Sequence, residues 1–296
     1  MPQTPIPADV QSQIARAVAE YVPSLAVESL VAIVAGKAPV VRQIGSGTLL
    51  AVADKTFVVT AGHVIHAAQS AGATVGLSGS TSGRFVAAAG HWLASEASDN
   101  PGGDDHHDIA LYQLSPSQAQ QLGQIRPIRI ADVSFEHDLA SMYFVVLGFP
   151  GMWSTTSNDD AEIVQLKLLQ YGTGAFGGSK AGLGGYSEAI HLLLDAKQDE
   201  LFDQDGNAMS FRTRQGFPAT MPGDLAGISG GGVWAIADMR APVQTWSKSS
   251  PRLVGVETGV YRDSRAIKVT RWSAIVSLLY AAFPELRPVL AMYVRV

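Results

Sequence analysis

Short runs rich in Val, Thr, Leu and Ile, each closed by Gly or a polar turn, recur along most of the chain. Residues 40–44, 47–52, 56–60, 74–77, 84–88, 109–114 and 126–130 form one set. Residues 143–147, 163–171, 190–196, 232–236, 253–257 and 266–269 form a second. Such runs read as strands. Few helical patterns lie between them, which argues against a βαβ parallel sheet and for antiparallel barrels or a sandwich. The 30 Gly and 15 Pro fall in no repeat and suit a turn-rich β protein. In a chain of 296 residues, a division near 135 leaves two β halves of similar size.

Helical patterns are confined to the ends. Over residues 8–34, Val10, Ile14, Val18, Tyr21 and Val22 recur at helical spacing. Pro23 interrupts, and residues 25–34 continue with apolar side chains too dense to fix a period. A last helix is expected over 272–283, stopped by Pro284. No uncharged apolar run reaches the roughly 20 residues of a bilayer span, and the amino terminus has neither a basic n-region nor an apolar h-region. A soluble, cytoplasmic protein is the expectation. With 21 Lys plus Arg against 26 Asp plus Glu, nothing global attracts nucleic acid or an anionic membrane. The absence of cysteine excludes disulfides, Cys-ligated zinc, thiol nucleophiles and iron–sulfur clusters.

The segment richest in chemical implication is Gly227-Ile228-Ser229-Gly230-Gly231. A serine between glycines sits on backbone free to turn neighbouring N–H groups toward one point, as an oxyanion hole requires. A glycine-rich hairpin with an incidental serine is the plain alternative. The segment also fits the G-x-S-x-G elbow of α/β-hydrolases, whose histidine follows the serine. All seven histidines here precede Ser229, so that assignment fails. Upstream, Thr60-Ala61-Gly62-His63-Val64 follows a β-rich run and puts an imidazole at a strand end, placed to act as a general base. Asp108 opens the run at 109–114, which can hold its carboxylate against a base. His63, His66 and the residues 104–108 also offer a weak metal-site alternative. Asp203-Gln204-Asp205-Gly206-Asn207 lacks EF-hand spacing and reads as a turn. The glycine-dense stretch 172–185 reads as a flexible insertion over the cleft.

Taken together, the motifs around His63, Asp108 and Ser229 resemble those of trypsin-like serine peptidases of the chymotrypsin fold, in particular bacterial members without disulfides. Thr-Ala-Gly-His-Val is similar to the family's histidine motif and Asp-Ile-Ala-Leu to its aspartate motif. Gly-Ile-Ser-Gly-Gly is similar to its serine motif. The resemblance covers roughly residues 38 to 270. It implies an all-β fold of two antiparallel six-stranded barrels, to which this chain adds N-terminal and C-terminal helices. The implied division is a helical extension (1–36), a barrel carrying His and Asp (37–135), a barrel carrying Ser (136–270), and a C-terminal helix and tail (271–296).

The same resemblance implies peptide hydrolysis, with Ser229 as nucleophile, His63 relaying the proton and Asp108 orienting His63. The N–H groups of Gly227 and Ser229 would bind the oxyanion, and Thr258, Gly259 and Val260 would line the cleft, with the Thr258 hydroxyl approaching the aspartate. Asp224 is placed either at the pocket for the side chain before the scissile bond or in a surface turn. The expected substrate is a polypeptide, with no cofactor, metal, nucleic acid or membrane expected. The N-terminal helix either caps a barrel or contacts a protein partner. The family commonly has Asp where this chain has Ile228, so Ile228 either shapes the loop by apolar packing or leaves the oxyanion hole malformed. The rival readings are a peptidase-fold scaffold without useful turnover and a metal-dependent hydrolase.

Overall fold

The computed structural model describes residues 22, 24–37, 40–79, 83–95, 107–156, 163–196, 201–202, 208–209, 225–247 and 251–294. A short helix α1 (Ser24–Glu28) leads into eight strands: β1 (Leu30–Lys37), β2 (Val40–Val52), β3 (Lys55–Ala61), β4 (Thr74–Gly79), β5 (Val86–Ala87), β6 (Leu93–Ala94), β7 (Ile109–Leu114) and β8 (Ile128–Arg129). They form one sheet in the order β5-β4-β1-β2-β3-β7-β6, with β8 lying parallel to β2. Helices α2 (Gly62–Ser70) and α3 (Pro116–Gln121) follow β3 and β7.

The chain then enters the second half through β9 (Met142–Gly148), a small hairpin of β10 (Thr155–Thr156) and β11 (Val164–Gln165), β12 (Leu169–Gly174) and β13 (His191–Asp195). It continues through β14 (Leu201–Phe202), β15 (Ala208–Met209), β16 (Gly232–Asp238), β17 (Arg252–Tyr261) and β18 (Ala266–Arg271). Apart from the hairpin these form a second sheet, β13-β18-β17-β16-β9-β12-β14-β15, in which every pair is antiparallel. A bridge from Ala175 to Leu194 draws the end of β12 toward β13 and curls this sheet toward closure. Helices α4 (Trp272–Ala282) and α5 (Arg287–Leu290) complete the chain. Two curled antiparallel sheets with few helices are the chymotrypsin-like, two-barrel all-β architecture.

One sequence expectation is corrected. The apolar stretch read as helix through residue 34 forms β1, a central strand paired with β4 on one side and β2 on the other. Leu30, Ala32 and Val34 face the core between the two sheets, whereas Val31, Ile33 and Ala35 face the interior of the first. A strand covered on both faces has no polar face, so its alternation cannot be seen in the sequence. Residues 1–21 lie outside the described residues, as does the turn at 203–207. Gly172 and Gly174 end the paired strand β12 rather than opening a loose insertion.

Three apolar clusters hold the molecule together. Each sheet encloses its own, and the largest joins them: Leu50, Phe57 and Leu111 from the first half meet Val145, Trp234 and Val256 from the second. Trp272, Ile275, Val276 and Leu279, at helical spacing along α4, close that shared core from one end.

Candidate active site

Helix α2 starts where β3 stops, and its first turn needs an outside partner because Ala61, at the cap position, offers no side-chain acceptor. Asp108 supplies it. The His63 N–H donates to Asp108 Oδ1 at 2.8 Å, and the Gly62 N–H donates to the Asp108 carbonyl at 2.9 Å. The second carboxylate oxygen, Oδ2, lies 2.9 Å from His63 Nδ1. A carboxylate only accepts, so Nδ1 carries the proton and Nε2 is left as the free base. Asp108 reaches both groups from a left-handed backbone, φ 48°, a conformation that Asp tolerates better than most residues. Burial alone would lower the His63 pKa, but the Asp108 hydrogen bond and charge, aided by Glu257, outweigh it and raise the imidazole above its ordinary 6.5. The ring remains 51% exposed at the surface of the cleft.

Ser229 comes from the second half, and its loop is pinned to the first. The Ser46 N–H donates to the Ser229 carbonyl at 2.8 Å, and Ser46 Oγ donates to the Gly227 carbonyl at 2.9 Å. Gln43 Nε2 sits among the carbonyls of Gly45, Phe149 and Gly227 at 2.6–2.8 Å, spanning both halves. Gly45 separates Val64, the neighbour of His63, from Ser229: a Cβ there would lie 2.6 Å from Val64 Cγ1 and 3.4 Å from the Ser229 carbonyl. The loop turns through left-handed glycines, Gly227 at φ 102° and Gly230 at φ 92°. Ile228, Gly230 and Gly231 donate their N–H groups to backbone carbonyls. Among the described residues those of Gly227 and Ser229 have no backbone acceptor, the pattern an anion pocket needs. Ile228 is 1% exposed in the core of the second sheet, against Gly148, and so packs apolarly beneath the loop.

β17 forms the floor. Its pairing with β16 stops at Val256, beyond which Gly259 and Val260 are half-buried and, among the described residues, paired only with β18. A bulge at Thr258 shifts the register. The Thr258 hydroxyl lies 3.0 Å from that of Thr270, and Thr270 donates to the His107 carbonyl at 2.8 Å. Thr258 is therefore linked to the Asp108 segment through Thr270 rather than by meeting the carboxylate. Asp224 and residues 104–106 lie outside the described residues. Among the described residues no cluster of three His, Cys, Asp or Glu could hold a metal ion. Two cavities flank the site along β2, of about 550 Å³ beside Gly227 and about 420 Å³ beside His63, and Arg42 and Ile44 line both.

The sequence reading missed Glu257. It is 1% exposed on β17, and neither carboxyl oxygen has an aligned hydrogen bond. Its backbone brackets the serine loop, accepting the Gly230 N–H at 2.7 Å and donating to the Gly231 carbonyl at 2.9 Å. Burial pushes its pKa up to about 7, although the charge of His63, the Ser229 hydroxyl and the Gly259 N–H all pull the other way. The one signal in the sequence is a lone acid closing the apolar run Leu253-Val254-Gly255-Val256.

No protein-family model matches the chain, and no curated protein matches it. Solved structures do. A scabies mite inactivated protease paralogue is 13% identical, covering 90% of this chain and 98% of its own, with a TM-score of 0.47. A thermostable serine protease from an extremophilic microorganism is 15% identical over 88% and 96%, with a TM-score of 0.43. The serine protease domain of the Sesbania mosaic virus polyprotein is 15% identical over 86% and 91%, with a TM-score of 0.40.

Proposed function

We propose that this protein is a serine endopeptidase working through an acyl-enzyme. The observation that carries this reading is the His63 Nδ1–Asp108 Oδ2 contact of 2.9 Å beside the clamped Ser229 loop. In the reaction, Ser229 Oγ attacks the scissile carbonyl while His63 Nε2 takes its proton, and Asp108 stabilises the imidazolium formed. The oxyanion is met by the N–H groups of Gly227 and Ser229. His63 then protonates the leaving amine, and water repeats the sequence to release the acid. A polypeptide fits because β17 at Thr258–Val260 presents an edge that no described strand takes up and that can pair with an extended chain. The scaffold alternative drew on Ile228; the burial of that residue beneath the loop, against Gly148, supports a loop shaped by apolar packing.

A fluorophosphonate probe tests the reading without knowledge of the substrate. Labelling of the wild type, and none of Ser229→Ala, is the expected result. Labelling that survives Ser229→Ala moves the nucleophile elsewhere. Loss of Ser229 or His63 should lower turnover by about 10⁶ if the groups act as a unit.

A further inference from the structure

Glu257 is a buried acid that the hydrolytic scheme does not use, placed where that scheme is most sensitive to charge. Its main chain brackets Ser229 through Gly230 and Gly231, so its position relative to the nucleophile is fixed by the sheet. Two further ionisable groups act on it, His63 at the start of α2 and Asp108 at the start of β7. From β18, Lys268 acts on His63. The polar neighbours of its carboxyl are the Ser229 hydroxyl and the Gly259 N–H.

An ionised carboxylate sealed from water without an aligned donor is costly, and the usual resolution is to keep a proton. A proton in this corner then has two possible holders, Glu257 and His63. On Glu257, it leaves His63 neutral and able to accept the Ser229 hydroxyl. On His63, or lost altogether, it leaves a bare carboxylate with the Ser229 hydroxyl among its polar neighbours. The carboxylate cannot replace His63 as base for turnover, because it is sealed whereas the imidazole is half exposed and can pass the proton to a leaving group.

Resting on the hydrolytic reading of this site, we infer that Glu257 is a proton-holding, positioning residue: protonated, it leaves Ser229 to His63; ionised, it draws the Ser229 hydroxyl away. The active state is the one with the shared proton on Glu257. Nucleophilicity therefore rises with pH as His63 is freed and falls again as Glu257 ionises. The two limbs belong to the pair rather than to either residue alone.

The test measures fluorophosphonate labelling rate and thermal stability against pH for wild type and Glu257→Gln. Wild type should show an alkaline limb near neutrality, falling about 100-fold two pH units above its midpoint. Glu257→Gln should keep the acid limb and lose the alkaline one. Stability gives an independent reading. With a folded pKa of about 7 against an ordinary 4.5, the native state holds a proton that the unfolded chain has released, so wild-type stability falls through this window as pH rises. The melting temperature of Glu257→Gln relative to wild type should therefore climb from pH 5 to pH 8. A shared alkaline limb, or a melting difference flat with pH, overturns the inference. A climbing difference with neither protein labelled keeps Glu257 as the proton store and overturns the hydrolytic reading instead. Should Glu257→Gln fail to fold, Glu257→Met takes its place, and absence of the alkaline limb in wild type alone is decisive.

Discussion

Asp108 is asked to do two things at once, and its replacement separates them. One carboxylate oxygen caps the first turn of α2 and the other fixes the imidazole. In Asp108→Asn the side chain keeps its shape and its ease with a left-handed backbone, but loses its charge. Burial then dominates, so the His63 ring should titrate at lower pH than in wild type, followed by NMR of the ring protons. An unchanged midpoint would mean that Asp108 contributes no electrostatic stabilisation. The candidates His63, Asp108 and Ser229 could be picked out in the sequence because each sits in a short motif whose neighbours mark it. Glu257 was not. A lone acid ending an apolar run is indistinguishable from a strand residue turning to water, and only the serine loop folding over it, fixed by long-range pairing, makes it buried.

Among the elements, the serine loop has the least tolerance. Gly230 lies at φ 92°, and an added Cβ would overlap the Ser46 carbonyl and Thr60 Oγ1. Gly230→Ala should thus cost more than about 2 kcal/mol through backbone strain and overlap together, read as a lowered denaturation midpoint. It should also abolish probe labelling, since the loop cannot keep its N–H groups aligned. A folded, fully labelled variant would show that the loop adapts. The strands near the site were legible because they are short apolar runs closed by Gly or a polar turn. β1 was not, since a strand packed on both faces loses the period that would distinguish it from a buried helix. The bulge at Thr258 leaves no trace in composition either, and it shifted the expected role of that hydroxyl.

At the scale of the whole molecule, the two sheets share one core and one polar seam, so they should unfold as a unit. Leu279 is fully buried in α4 against that shared core. Leu279→Ala should remove about 2–5 kcal/mol while leaving a single transition, seen alike by far-ultraviolet dichroism and tryptophan fluorescence. Two separated transitions would show that the halves melt independently. The antiparallel all-β character was legible from strand spacing and the two-barrel arrangement from the motif resemblance, whereas the joining of the halves by Gln43 and Ser46 was not, because a polar residue in a β run says nothing about which distant carbonyl it will meet. That joining has a temporal corollary. The imidazole and its carboxylate both belong to the first half, yet the hydroxyl lies 121 residues beyond Asp108, on a loop that docks onto Ser46. On the hydrolytic reading, a nascent chain is accordingly inert while it emerges, and its own unfolded segments are spared until the second sheet closes.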